Sequence, residues 1–159
     1  MNTFLRFLEF LALGIWLGSD VFLSFVVAPG AFRILASRDQ AGAMVGFALG
    51  NMHIAGIFCG LIFFLARLLR GHTFARLTAA PALFVALMIA LTAVSQYTVS
   101  SKMAALRVQM VSIQATNADN PLLAEFSRLH RVSISLESAV LLAGIVAMYL
   151  MVRELSSGH

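Results

Sequence analysis

The sequence predicts an all-α integral membrane protein, a four-helix bundle running up-down-up-down, and three observations carry that reading. Apolar residues make up 60% of the 159-residue chain and charged residues only 11%, whereas soluble domains carry about 25% charge. Four long apolar runs are separated by polar breaks. The stretch joining the third run to the fourth keeps helical periodicity, so these two helices should extend beyond the bilayer. At ~20 residues per crossing, the chain holds four spans and their connections in one membrane domain, residues 1–159.

The first span covers about 4–27. No small-x-small cleavage site precedes Pro29, so it reads as a retained helix, and Pro29 with Gly30 should end it. The second, about 43–69, begins after Arg38 and Asp39 and closes at Arg70 and Gly71, with His72 in the turn that follows. The third starts between Thr73 and Pro81 and covers about 79–101. Beyond it, Met103, Leu106, Met110 and Ile113 share one helical face opposite Lys102, Arg107, Gln109 and Gln114, so the helix should continue. Asn117 to Pro121 supplies a turn, with Asn120 as N-cap and Pro121 at the first helical position. The fourth span, about 130–152, therefore belongs to a helix that starts well before it, and a polar tail, 156–159, follows.

The charges limit partners more than they set orientation. Eleven Lys and Arg against seven Asp and Glu give a net charge of +4, and the basic residues lie at helix ends, where they suit lipid headgroups and form no continuous face for nucleic acid. The expected partners are the lipid bilayer and either a second copy or a larger membrane complex. Arg6, Arg67, Arg70, Arg76 and Arg153 fall on one side, and Arg33, Arg38, Lys102, Arg107, Arg128 and Arg131 on the other. The short, densely basic turn from Arg67 to Arg76 favours cytoplasmic termini, in a membrane of the bacterial inner type. Cys59, the single cysteine, reads as a small packing residue. No glycosylation sequon, CxxC or CxxCH occurs.

Polar groups inside spans are costly, about 2.5 to 3.5 kcal/mol for a charge at the centre on insertion scales, so each needs a bundle-facing or functional explanation. Glu9, Asp20, Asn51, His53, Gln96 and Glu137 are such groups. Asp20, Asn51, Gln96 and Glu137 converge about 10 to 15 Å from the side carrying the first and third connections. Glu9, Trp16 and Asp20 share one stripe of the first helix; His130, Ser133, Glu137 and Gly144 share one of the fourth. Gly46, Gly50, His53, Gly56 and Gly60 form a seam on the second, where small residues admit a close neighbour.

Two functional readings follow. In the first, a non-enzymatic scaffold or partner subunit is held by buried contacts such as Gln96 with Asp20, Glu137 with Arg33 or Arg128, and Glu9 with Arg6. In the second, Asp20, His53, His130 and Glu137, with Asn51 and Gln96 in the same layer, form a site for an ion, a proton path or a cofactor. Carboxylate and imidazole ligands among helices suit haem or a transition metal. The eight methionines are scattered, which gives no thioether relay for copper. A nucleophile elbow, HExxH and DxD are all missing, so hydrolytic catalysis has no support.

Three segments carry a resemblance: LGIWLG at 13–18, FVVAPGAFR at 25–33 and FSRLHRVS at 126–133. As an ordered set they resemble the transmembrane-protein-205-like family, domain of unknown function 4149, whose features fall here on Trp16, Gly18, Pro29, Phe32, Arg33, Phe126, Arg128, His130 and Ser133. The resemblance implies a small four-span membrane protein and no particular reaction. A more distant likeness is to the copper-resistance-D and oxygen-independent protoporphyrinogen oxidase group, which implies porphyrinogen oxidation or copper handling. The chain departs from that group with Glu9 where the oxidase type has a histidine, and with no lysine inside any span.

Overall fold

Four apolar rods build the structure, a computed structural model that describes residues 2–71 and 78–156. The first rod comprises helix α1 (Asn2–Phe22), a π-helical turn (Leu23–Val27) and α2 (Ala28–Ile34). The second is α3 (Arg38–Gly71). The third comprises α4 (Ala80–Val94), a second π-helical turn (Ser95–Ser100) and α5 (Ser101–Met110), and the fourth is α6 (Pro121–Ser156). All four are long and apolar enough to cross a membrane, and no strand occurs among the described residues. Residues 72–77, which hold His72, Thr73 and Arg76 of the basic turn, and the end of the polar tail lie outside the described residues.

Pro29 and Gly30 do not end the first helix. The Ala28 N–H donates to the Leu23 carbonyl five residues back, which widens the turn. Pro29 then sits at the start of α2, where its missing N–H costs little. The rod runs to Ile34 and stops where Leu35 turns extended, at φ −78° and ψ 144°.

The third helix continues past residue 101, though to Met110 and not to Ile113. Val111 reverses the chain at φ 59°, and Ile113 lies in the turn, its N–H donating to Asp39 Oδ1 at 2.9 Å. Asn120 caps α6 by accepting the Leu122 N–H at 2.9 Å, with Pro121 first in the helix.

Packing places the largest core around Trp16, with Leu13, Phe63, Val85, Met88, Val140 and Ala147. The seam on α3 works here: a methyl group at Gly56 would come within 2.5 Å of Trp16 Cε2, so only glycine lets the indole lie on that backbone. Met148 and Met151 also belong to this core. A smaller cluster of Val99, Leu106, Phe126 and Leu129 joins α5 to the start of α6. Phe25, Phe47, Phe58 and Leu142 point outward, an apolar exterior that suits hydrocarbon and not water.

Candidate functional site

His53 is the centre of the buried polar layer. Its position in α3, three residues after Gly50 and three before Gly56, brings neighbouring rods close, and the side chain is fully enclosed. Nδ1 lies 2.8 Å from Gln96 Oε1 and Nε2 lies 2.7 Å from Glu137 Oε1. The Ser95 hydroxyl donates to the same Glu137 oxygen at 3.0 Å. One imidazole thus ties three rods together. An amide oxygen only accepts, so Nδ1 carries a hydrogen. The second bond then has two forms, an imidazolium donating to a carboxylate or a carboxylic acid donating to a neutral ring.

Asp20 adds a second carboxyl group, 1% exposed. The Ser24 hydroxyl reaches its Oδ1 at 3.4 Å, a long contact, and Asp20 lies within electrostatic range of Glu137 and His53. Asp20 Oδ2 and Glu137 Oε2 are buried and have no hydrogen-bond partner. Unpaired carboxylate oxygens in an apolar interior are expensive, and a proton or a cation removes the charge that makes them so.

Both π-helical turns feed this centre. Ser24 belongs to the first, and Ser95 and Gln96 to the second. Consecutive residues in an α-helix point about 100° apart, yet Ser95 and Gln96 reach the two ends of one His53–Glu137 pair. Both residues lie in the wide turn, which sets the directions of their side chains. Neither serine stands out in the sequence, because a hydroxyl in an apolar span is ordinarily satisfied by its own helix.

Not all the residues expected in the layer join it. Asn51 is exposed and donates to the Phe47 carbonyl at 2.9 Å; it is two residues from His53 and so faces away from it. His130 is exposed as well. The buried stripe of α6 continues from Ser133 through Leu129 to Phe126. Four residues turn about 40° past a full circle, whereas three fall about 60° short, so Leu129 takes the inward place. Gln96 pairs with His53 and not with Asp20. Glu137 pairs with His53 and Ser95 and not with Arg33 or Arg128, both of which are exposed.

At the other end of the bundle, a second charged group escaped the sequence reading. Glu9 does not turn to Arg6 but meets Arg67 at 3.2 Å and Arg70 at 2.9 Å, and Arg67 also holds Glu154 at 2.5 Å. Arg67 is 1% exposed and stacks over Phe63, 5.6 Å from the ring centroid. Its position groups it with the basic turn in sequence; its spacing of three from Arg70, at the depth of Glu9, is the available signal.

With this geometry in hand, residues 11–112 match the family described as Domain of unknown function (DUF4149). The chain belongs to that family. No curated protein and no solved structure matches it. The DUF4149 match spans Trp16, Asp20, His53 and Gln96 but ends before Glu137, so the polar centre joins the matched segment to the rod that follows it. The motif residues do not gather into one site: Trp16, Phe126 and Ser133 are buried, while Gly18, Pro29, Phe32, Arg33 and Arg128 are exposed.

A metal or haem fits the described side chains of this layer poorly. Both ring nitrogens of His53 are engaged and His130 lies outside the layer. Among the described residues no set of three His, Cys, Asp or Glu side chains is arranged to hold a metal ion.

Proposed function

We propose that this protein is a non-enzymatic membrane module, running up-down-up-down through the bilayer with both termini in the cytoplasm, that binds a proton at its buried centre. The observation that carries the reading is the pair of unpartnered oxygens, Asp20 Oδ2 and Glu137 Oε2, beside a histidine already hydrogen-bonded at both nitrogens. A proton on either carboxyl removes the buried charge, and the His53–Glu137 bond accommodates its transfer by moving one hydrogen along a 2.7 Å contact. A purely structural role explains why the imidazole joins three rods, and leaves these two oxygens unexplained.

The likeness to transmembrane-protein-205-like proteins is compatible with such a module. The porphyrinogen-oxidase and copper-handling readings drawn from the more distant group need a metal or redox ligand that the engaged His53 does not offer. Infrared difference spectra of protein in lipid, recorded between acid and alkaline conditions, test the proposal. A protonated-carboxyl stretch that diminishes in both Asp20→Asn and Glu137→Gln supports it. Spectra without that band, in a folded wild-type protein, leave only the structural role.

A further inference from the structure

Arg107 lines a recess that the buried centre does not use. It projects from α5, near the end of the third rod and beside the first turn of α3, a rod end that falls at headgroup level in a bundle spanning a bilayer. A cavity of about 310 Å³ opens there between Asp39, Gln40, Ala43, Arg107, Val111 and Ile113. The guanidinium lies against the glycine face of α3: a methyl group at Gly42 would stand 2.7 Å from Nη2, and one at Gly46 would stand 3.5 Å from Nη1. On its other side Phe126 supports it, with Cζ 5.5 Å from the ring centroid.

Among the described residues, part of the hydrogen-bonding capacity of this cation is unused. A guanidinium carries five N–H donors in a planar fork, and Arg107 Nε is buried without an acceptor. Asp39, the carboxylate of the same recess, accepts the Ser112 hydroxyl on Oδ2 at 2.7 Å and the Ile113 N–H on Oδ1 at 2.9 Å. It offsets part of the positive charge and leaves the fork open. Val111, on the rim, is held at φ 59°, a conformation that disfavours β-branched residues and tends to mark binding sites.

We propose that this recess binds a phosphate group, that of an anionic phospholipid, through the guanidinium of Arg107. The planar fork matches phosphate oxygens two at a time, the position is at headgroup depth, and anionic lipids concentrate such groups there.

Thermal unfolding of the full chain in detergent, with phosphatidylglycerol, phosphatidylcholine or inorganic phosphate titrated in, tests this. Phosphatidylglycerol should raise the unfolding midpoint saturably, and Arg107→Gln should weaken the apparent affinity about tenfold or more, the loss of a charged hydrogen-bond pair. Gln40→Glu places an acid on the recess lining without disturbing the stack on Phe126, so it should cause the same loss and decides the matter if the arginine variant does not fold. An equal, Arg107-dependent shift with inorganic phosphate supports the site with free phosphate as its source. No saturable shift in wild type overturns the proposal. Equal shifts in all three proteins, or equal shifts with phosphatidylcholine in all three, overturn it too.

Discussion

His53 Nε2 stands 2.7 Å from Glu137 Oε1, and the contact links the second rod to the fourth across the bundle. Truncation to His53→Ala strands Gln96 and Glu137 at once. Interhelical hydrogen bonds in membranes are worth about 0.6 kcal/mol on average, and an orphaned buried carboxylate adds to that, so the loss should reach about 2 to 3 kcal/mol. Asn51→Ala and His130→Ala, both on the exposed surface, should stay within about 0.5 kcal/mol. Unfolding in mixed micelles reads all three, and equal losses would contradict the assignment of His53 as the centre.

Arg67 tests the opposite end. It lies between Glu9 and Glu154 and is itself enclosed, so Arg67→Leu leaves the Glu9 carboxylate buried with one of its cations gone. Breaking a buried pair from one side costs about 3 to 5 kcal/mol. Adding Glu9→Leu to Arg67→Leu should return part of that stability, since it removes the stranded charge. A double variant less stable than the single would sink this account.

Much of the architecture was legible in composition and periodicity, because hydrocarbon imposes its demands on every residue of a span. The Asn120 cap and the burial of Glu9, Trp16 and Asp20 on one stripe followed from local rules. Pairings were less visible. Depth counting brought Asn51 and Gln96 to one level, but only the rotation of each rod decides that Gln96 reaches His53 while Asn51 faces outward. Rotation also changes at each π-helical turn, and a constant 3.6-residue period does not register that change.

Glycines separate packing from motif. At Gly56 a methyl group would press on the Trp16 indole, a rigid ring enclosed by the core, so Gly56→Ala should cost about 1 to 3 kcal/mol by overpacking. At Gly144 the obstacles are the flexible ends of Leu17 and Met88, and the cost should be smaller. Gly18, although part of the family pattern, has nothing within 4 Å of an added methyl group, so Gly18→Ala should not lower stability. Melting temperatures in one detergent rank the three variants, and a reversed order would refute the packing scheme.

Asp39 makes the outer turn sensitive to acid. The Ser112 hydroxyl, with the Ile113 N–H, holds its carboxyl below the usual carboxylate range. Because the folded-state value is depressed, the stabilisation is fully present above the ordinary carboxylate pKa and disappears as pH falls through the folded value. Protection of the Ile113 amide, taken relative to its intrinsic exchange rate at each pH, should therefore fall on acidification in wild type. In Asp39→Asn the protection should already be low at neutral pH, with little further response. An amide that stays protected through the acid range would show that Asp39 does not hold the turn.

The second π-helical turn invites a more direct perturbation, since it behaves as one residue added to an α-helix. Tyr97 is exposed within it, and deleting Tyr97 should let the segment close into regular α-helix while α4 and α5 keep their facing. Leu106 would then still meet Phe126 and Leu129. Inserting an alanine after Tyr97 would instead rotate α5 by about 100° and carry Leu106 off its partners. Deletion should consequently lower the melting temperature less than insertion, an order opposite to the usual tolerance of loops for added residues. If the deletion is the more damaging change, the turn is not an accommodated extra residue, and the joint reach of Ser95 and Gln96 to the His53–Glu137 pair needs another cause.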